Sequence, residues 1–467
     1  MIIKRICILY QYYLGSLFRY FKRTLLGLLL GRSRFSRVET KFLKDAIIYP
    51  HEITLEFLNK ILAAQNLPPV ESFSLDSTNI DGGLCATLVR VKLNWNTNSI
   101  TYANSVNLPS SLMMKFVGRD YKSLNWSAFL NLPREAHFYQ MSMNNDQEEG
   151  IHNLSFVPKA YYANGSSLDG TYCVIMEDLS NNYAHLGKML GNQCWGADPR
   201  FNLSDLEKFN VINDVFTSIS SLHATHWRDY SLFSKYPWLK NVDHIQGQNQ
   251  KDWVSAIESI VKLWKSTARP TLERLAKDPN SKLLHADLFI DTMEKYCEHS
   301  SWQLFQESYN ISNPNTPFTF CHGDFHAGNI MYKTSTQIDH NHLPAFYLFD
   351  YPVVGVFDPF FEISQFIISN ASIDLRRQYE DTLFDSYYNQ LIKQIPIDQV
   401  KLYPRDYCMT RYVTGVEKWF QLFTLMTPSI PDHSIEFFHN QISTFIHDHS
   451  NIMDKVQPTF LTSYLLP

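Results

Sequence analysis

The sequence of 467 residues is poor in cysteine, and its cysteines are not paired along the chain. There are seven, and no C-x-x-C pair occurs. Disulfide frameworks and structural zinc sites usually show an even number of cysteines at short, regular spacings. We therefore expect neither kind of site, and we expect a reducing, intracellular compartment. The seven are Cys7, Cys85, Cys173, Cys194, Cys297, Cys321 and Cys408.

A basic excess is also missing. The formal net charge is -5, with 46 acidic residues against 41 lysines and arginines. Nucleic-acid binding domains carry a clustered positive charge, so we predict no nucleic-acid partner. Hydrophobic residues make up 45% and charged residues 19% of the chain, which is typical of a globular protein. The length predicts one to three domains.

No apolar run near the N-terminus reaches the roughly 18 residues of a clean membrane-spanning helix. Residues 1–38 nevertheless carry eight lysines and arginines and no acidic residue, and their leucines and phenylalanines follow helical spacing. We interpret residues 1–40 as a basic amphipathic segment. It is expected to be a mitochondrial-type targeting peptide, a helix on an anionic membrane surface, a poor signal anchor, or a helix packed on the body. The protein is then cytoplasmic, mitochondrial or membrane-associated.

The periodicity of the sequence changes about one third of the way along the chain. Short strand-like runs occupy the first part, at Leu88–Trp95, Ser111–Val117 and Tyr172–Met176. A capping-box pattern at 204–207 then introduces a long helical segment. We predict an α+β protein of two lobes with a cleft between them: a strand-rich, nucleotide-binding lobe at 41–180 and a mainly helical lobe at 181–467.

The strongest chemical signal is the run Cys321-His322-Gly323-Asp324-Phe325-His326-Ala327-Gly328-Asn329, which directly follows an apolar strand pattern at 318–321. Phosphoryl transfer needs a carboxylate that orients the attacking hydroxyl, and oxygen ligands that hold magnesium on the nucleotide phosphates. Asp324 suits the first task. Asn329 suits the second, because a short loop can return it to the same place.

A second carboxylate, Asp350, stands at the end of the next predicted strand, 346–349. The end of a strand holds its last side chain at a fixed point, as metal coordination requires. We therefore predict that Asp324 is the catalytic base and that Asn329 and Asp350 are metal ligands.

The His322-Gly323-Asp324 run with Asn329 and the Asp350-Tyr351 pair resembles the aminoglycoside phosphotransferase and choline-kinase-like group. It is especially similar to the eukaryotic members called CHK or ecdysteroid-kinase-like proteins, over roughly residues 50–425. The resemblance implies a two-lobed protein-kinase-like fold. It also implies Mg²⁺ and ATP as cofactor and co-substrate, and a small molecule with a hydroxyl group as the acceptor.

The resemblance further implies nucleotide contacts in the first lobe. Lys115 would bind the phosphates, a helical glutamate would pair with it, a glycine loop would cover the phosphates, and the segment after a strand would meet adenine. These positions are Gly82, Gly83, Lys115, Glu135, Glu177 and Leu179.

The sequence departs from protein kinases at several points. Gly323 stands where a protein kinase has arginine, Asp350-Tyr351-Pro352 replaces Asp-Phe-Gly, and no Ala-Pro-Glu segment follows. These departures argue against protein substrates. Glu362 stands where the group usually has a second downstream aspartate, and we expect it to be structural.

Two alternatives remain open at this point. The chain could be a catalytically silent nucleotide-binding pseudokinase tethered by its N-terminus, or a relative that binds small molecules without nucleotide. An aromatic and acidic set could form a cage for an ammonium group, although such a set is also typical of a buried helix face. The residues of this aromatic and acidic set are Tyr412, Glu417, Trp419, Phe420 and Phe423. We expect the histidines near these motifs to have structural or surface roles.

Overall fold

The computed structural model describes residues 47–77, 86–95, 108–143, 155–167, 170–191, 196–334 and 344–461. The basic N-terminal segment and the Gly82–Gly83 loop lie outside these residues. The described chain divides into two compact units. The first unit comprises described residues from 47 to 143 and from 158 to 181, and the second comprises residues 155–157 and those from 182 to 461.

The first unit contains one antiparallel sheet of five strands in the order β1-β2-β3-β5-β4. Three α-helices accompany the sheet within the described residues of this unit. The strands are β1 (Val70–Asp76), β2 (Thr87–Trp95), β3 (Ser111–Phe116), β4 (Ala160–Gly165) and β5 (Tyr172–Glu177), and the helices are α1 (Leu55–Ala63), α2 (Tyr121–Leu130) and α3 (Arg134–Met143).

Burial explains which strands the sequence revealed. The central strands β3 and β5 are buried along nearly their whole length, and Val89 and Val91 of β2 alternate into the same core. These three strands were predicted and are confirmed. The edge strands β1 and β4 were not predicted. Helix α1, which Thr54 caps by accepting a hydrogen bond from the Phe57 backbone N–H, contributes Leu58 and Leu62 to the core.

The second unit is mainly helical. Its fourteen α-helices within the described residues are α4 (Leu186–Leu190), α5 (Asp205–Thr225), α6 (Ser231–Lys235), α7 (Val242–Ile245), α8 (Gln250–Leu263), α9 (Arg269–Leu275), α10 (Ala286–His299), α11 (Trp302–Tyr309), α12 (Pro359–Asn370), α13 (Ile373–Ile392), α14 (Arg405–Thr414), α15 (Val416–Met426), α16 (Asp432–Asp448) and α17 (Ser450–Met453).

Short strands accompany these helices and carry the predicted catalytic residues. Strands β6 (Tyr183–His185), β8 (Ile330–Lys333) and β9 (Phe346–Leu348) form one small antiparallel sheet. Strands β7 (Thr319–Cys321) and β10 (Gly355–Phe357) form a two-stranded ribbon. The sequence predicted β7 and β9, and both are confirmed.

Helix α12 is the centre of the second unit, because all twelve of its residues are buried. Asp358 caps its N-terminus by accepting a hydrogen bond from the Phe360 backbone N–H at 2.9 Å, and Pro359 occupies the first turn. The Asp358 carboxylate also forms a buried ion pair with Arg411 of α14, at 2.6 Å. This anchoring fixes the helix that reaches behind the predicted catalytic loop.

The predicted α+β class is confirmed: a strand-rich unit precedes a mainly helical one along the chain. The capping box of helix α5 is also confirmed, since Ser204 and Glu207 exchange hydrogen bonds with each other's backbone N–H groups. Within the described residues, none of the helices is both long and apolar enough to cross a membrane.

Candidate active site

The predicted catalytic loop leaves strand β7 at Cys321 and turns sharply at Gly323. Gly323 has a φ of +83°, in the left-handed region that favours glycine, and a side chain there would collide with the Val353 carbonyl. The Gly323 carbonyl in turn accepts a hydrogen bond from Lys418 Nζ at 2.7 Å. Glycine at this position therefore has a local steric reason.

His322 connects the loop to the strand end that precedes Asp350. Its Nδ1 accepts a hydrogen bond from the Asp324 backbone N–H at 3.2 Å, so the proton of the neutral ring lies on Nε2. Nε2 then donates to the Phe349 carbonyl at 2.9 Å. Burial lowers the pKa of His322, which favours this neutral form. His322 thus holds two backbone segments in register.

The Asp324 carboxylate has a polar neighbour at each oxygen and remains one third exposed. Oδ1 accepts a hydrogen bond from Gln365 Nε2 at 2.8 Å, and Oδ2 lies 3.4 Å from His326 Nε2. The side chain is 33% exposed. Burial acts to raise its pKa, but His326, Lys418 and His322 outweigh this effect and hold the pKa well below its usual range. Asp324 is therefore an ionised carboxylate that solvent can reach.

Glu362 of helix α12 braces the loop from below. Its Oε2 accepts hydrogen bonds from the His322 backbone N–H at 3.2 Å and from His223 Nε2 at 3.0 Å, and its Oε1 accepts one from the Gly323 backbone N–H. The side chain is 1% exposed. Burial raises the pKa of Glu362, but His223, Lys418 and His322 more than offset this, so the net shift is downward.

His223 and Glu362, with Cys321, form the one group of potential metal ligands found among the described residues. Their candidate ligand atoms lie within 4.8 Å of one another. However, His223 already bonds Glu362 through Nε2 and Tyr387 through Nδ1, at 2.7 Å. The group is a buried hydrogen-bond network.

Asn329 and Asp350 lie at facing strand ends. The Phe349 backbone N–H donates to the Asn329 carbonyl at 3.0 Å, next to the pair formed by Ile330, the first residue of β8, and Leu348, the last residue of β9. Asn329 Nδ2 donates to the Asp324 carbonyl at 2.9 Å, which leaves Oδ1 as the oxygen of that amide able to act as a ligand. Asp350 has a φ of +68°, which is unusual for a residue other than glycine. Residues with such strained backbone angles are found frequently at functional sites.

In the first unit, the predicted lysine and glutamate pair directly. Lys115 Nζ of β3 lies 2.6 Å from Glu135 Oε2 of α3, and the Glu135 side chain is fully buried. Glu177 ends strand β5, and Leu179 begins the short 3-10 turn Leu179–Asn181. Gly82 and Gly83 lie outside the described residues.

Asp178 lies between Glu177 and Leu179, in the segment that we predicted to contact adenine, and it anchors that segment. Its carboxylate accepts hydrogen bonds from Arg90 at 2.6 Å and from Ser111 at 2.7 Å, which ties the segment to strands β2 and β3. Burial opposes ionisation of Asp178, but hydrogen bonds from Ser180, Ser111 and Arg90 lower its pKa overall.

Sequence reasoning missed two residues that contact the predicted catalytic loop. Gln365 stands three residues after Glu362 on the same helix, so helical spacing could have placed it on the same face. Lys418 lies 95 residues from its partner Gly323, and no local sequence pattern predicts this contact. The aromatic and acidic set proposed as an ammonium cage is buried in α14 and α15, each member at most 4% exposed.

Comparisons with known proteins give the following matches. The model of the ecdysteroid kinase-like family matches residues 230–397. The predicted resemblance is confirmed. The matched segment contains the predicted catalytic loop, Asp350 and helix α12. No curated protein matches the sequence.

Among solved structures, the chain is similar to a choline kinase from Cryptosporidium parvum Iowa II at 11% identity, covering 86% of this chain and 97% of that chain, with a TM-score of 0.45. It is also similar to a choline/ethanolamine kinase family protein from Mesorhizobium loti at 11% identity, covering 86% and 98%, with a TM-score of 0.39. A choline kinase from Streptococcus pneumoniae shares 10% identity over 84% and 98% of the two chains, with a TM-score of 0.38.

Proposed function

We propose that this protein transfers the γ-phosphate of ATP to a hydroxyl group of a small molecule. The observation that carries the proposal is the Asp324 carboxylate, which is ionised, partly exposed and oriented by Gln365. It lies on a loop whose other end, Asn329, folds back onto the Asp324 backbone carbonyl. The family match over residues 230–397 supports the same reading.

The residues present fit a magnesium ion. Mg²⁺ prefers oxygen ligands, and the Asn329 amide oxygen with the Asp350 carboxylate offers such a donor set at two adjoining strand ends. Asn329 and Asp350 would hold the metal, which would neutralise the charge of the nucleotide phosphates. Lys115, held by Glu135, would position those phosphates, and the backbone near Glu177 and Leu179 would meet adenine.

Asp324 acts on the acceptor. Its carboxylate accepts a hydrogen bond from the acceptor hydroxyl and points that oxygen at the γ-phosphorus. It takes the hydroxyl proton as the new oxygen–phosphorus bond forms and the bond between the γ-phosphorus and the departing ADP breaks. The low pKa of Asp324 keeps it ionised and able to accept a hydrogen bond, but makes it a weak base. Its contribution is therefore chiefly orientation, as a loose phosphoryl-transfer transition state requires.

The test is a phosphotransfer assay on the full chain with Mg-ATP and choline, ethanolamine or an ecdysteroid, followed by a metabolite extract. A phosphorylated acceptor made by the wild type is expected, with Asp324→Asn about 10² to 10⁴ times slower. Nucleotide binding by Asp324→Asn should remain close to wild type. Binding of Mg-ATP without any turnover would instead favour the pseudokinase alternative.

A separate measurement tests the metal ligands without relying on activity. Mg-ATP should raise the melting temperature of the wild type, and Asp350→Ala should lose most of the magnesium-dependent part of that increase. An Asp350→Ala protein that responds to Mg-ATP as the wild type does would remove Asp350 from the metal site.

A further inference from the structure

Two buried glutamines, one on helix α12 and one on helix α16, donate hydrogen bonds to different kinds of partner. Gln365 lies in the middle of α12, is 1% exposed, and donates from Nε2 to the Asp324 carboxylate at 2.8 Å. Gln441 of helix α16 is 6% exposed and donates from Nε2 to the carbonyls of Ile368 and Ala371, at the end of α12. Gln365 therefore donates to the side chain that we propose to contact the reacting hydroxyl, whereas Gln441 donates to backbone carbonyls.

The oxygen of the Gln365 side-chain amide accepts no hydrogen bond from the described residues. Its Oε1 is buried, and in the part of the chain that the structure describes no donor reaches it. A buried acceptor without a donor destabilises a fold, and such groups in native proteins commonly have a functional explanation. An apolar residue of the same size would suit this position better, if packing were the only requirement.

The orientation of the amide follows from its partner. The Asp324 carboxylate is ionised and can only accept hydrogen bonds, so the nitrogen of Gln365 must face it. The oxygen is thereby turned into the protein interior. The fold thus keeps a buried amide oxygen that accepts no hydrogen bond from any residue that the structure describes. The nitrogen of the same amide donates its hydrogen bond to the predicted catalytic carboxylate.

We propose that Gln365 is a positioning residue, which fixes the Asp324 carboxylate through Oδ1, while Oδ2, 3.4 Å from His326 Nε2, takes the acceptor hydroxyl. This inference rests on the proposed function. Helix α12 is well suited to the task, because its N-terminus is capped by Asp358 and its next turn carries Glu362, which holds the backbone of the same loop. The backbone and the side chain of the catalytic loop are then set by one rigid helix.

Gln365→Met is the decisive variant, since methionine has similar length and volume but donates no hydrogen bond. We expect kcat to fall on the order of tenfold to a hundredfold, because the carboxylate loses its fixed orientation. The KM for Mg-ATP should not change. The melting temperature should stay at the wild-type value or rise, because the unsatisfied oxygen is removed.

Gln441→Met is the matched control. It removes two hydrogen bonds to backbone carbonyls and should lower the melting temperature by roughly 2–6 °C. Its kcat at a temperature where it is folded should equal that of the wild type. The opposite pattern of the two variants separates a positioning role from a structural one.

The double variant Gln365→Met with Asp324→Asn gives a second readout. If Gln365 acts only through Asp324, the double variant should be no slower than Asp324→Asn alone. The assay uses Mg-ATP with the acceptor from the panel above that gives most product, or with water if none does.

Three results would overturn the proposal. They are an unchanged kcat in Gln365→Met, a fall in its melting temperature like that of Gln441→Met, or losses that multiply in the double variant. A wild type that turns over neither an acceptor nor water overturns the proposed function, and this inference with it. An active wild type with any of the three results overturns this inference alone.

Discussion

Replacing Glu362 with glutamine removes the negative charge on which the catalytic loop rests. Glu362 accepts hydrogen bonds from the backbone of His322 and Gly323 and from His223, and it is shielded from water. Burial lowers the pKa of Lys418, and nearby carboxylates, first Glu362 and then Asp324, act against this effect. The carboxylate therefore serves three donors and one neighbouring cation.

The magnitude follows from these contacts. Glutamine can accept through one oxygen only, and its NH₂ group would face a backbone donor. The loss of charge also removes one of the anions that favour the charged form of Lys418, while Asp324 and Glu417 remain. Leaving buried donors of the loop and of His223 unsatisfied costs about 1–3 kcal/mol for each donor, so we expect a loss of about 3–5 kcal/mol. At about 2 °C per kcal/mol for a large unit, the melting temperature should fall by about 6–10 °C.

Thermal unfolding of the full chain measures this effect, with Glu258→Gln as the control. Glu258 lies on an exposed face of helix α8, and its substitution should change stability by less than about 0.5 kcal/mol. Glu362→Asp keeps the charge but shortens the side chain, so its melting temperature should lie between those of Glu362→Gln and Glu258→Gln. A Glu362→Gln protein that melts with the control would refute the conclusion that a charged Glu362 supports the loop.

Three further predictions concern other parts of the fold. Asp358→Ala removes the cap of α12 and leaves Arg411 as a buried cation without its carboxylate, so stability should fall by about 3–5 kcal/mol in a urea titration; an effect under about 1 kcal/mol would contradict the pairing. Glu135→Gln should weaken Mg-ATP binding by roughly tenfold, measured by calorimetry, because Lys115 is no longer held; unchanged affinity would show that the pair does not serve the nucleotide. Burial lowers the pKa of His439 to about 4, below its value of about 6.5 in the unfolded chain. The unfolded state then binds more protons between these values, so stability should decrease as the pH falls from about 6.5 to 4, and His439→Gln should flatten this dependence.

Local patterns were sufficient where each residue's own neighbours in sequence decide the structure. The alternation after Gly83 predicted β2, and continuous apolar runs predicted β3 and β5, because these strands are central and buried. The capping box of α5 needs only Ser204 and Glu207. The edge strands β1 and β4 carry a weaker apolar pattern and were missed, as were most helices between 228 and 310.

The candidate site shows the same division. The spacing from His322 to Asn329, and the position of Asp350 after a strand, can be read along the chain, because a short loop and a strand end fix where those side chains go. The pairing of Lys115 with Glu135 was implied by the resemblance to the kinase-like group, and the structure confirms it.

Only the tertiary structure decided what surrounds Asp324. Gln365 is 41 residues from Asp324, and Lys418 is 95 residues from Gly323. Periodicity reports whether a residue is buried, but it does not report which distant group its amide or ammonium meets. The sequence by itself determined the chemical groups of the site and their order, and the packing of helices α12 and α15 against the loop determined how the carboxylate is held.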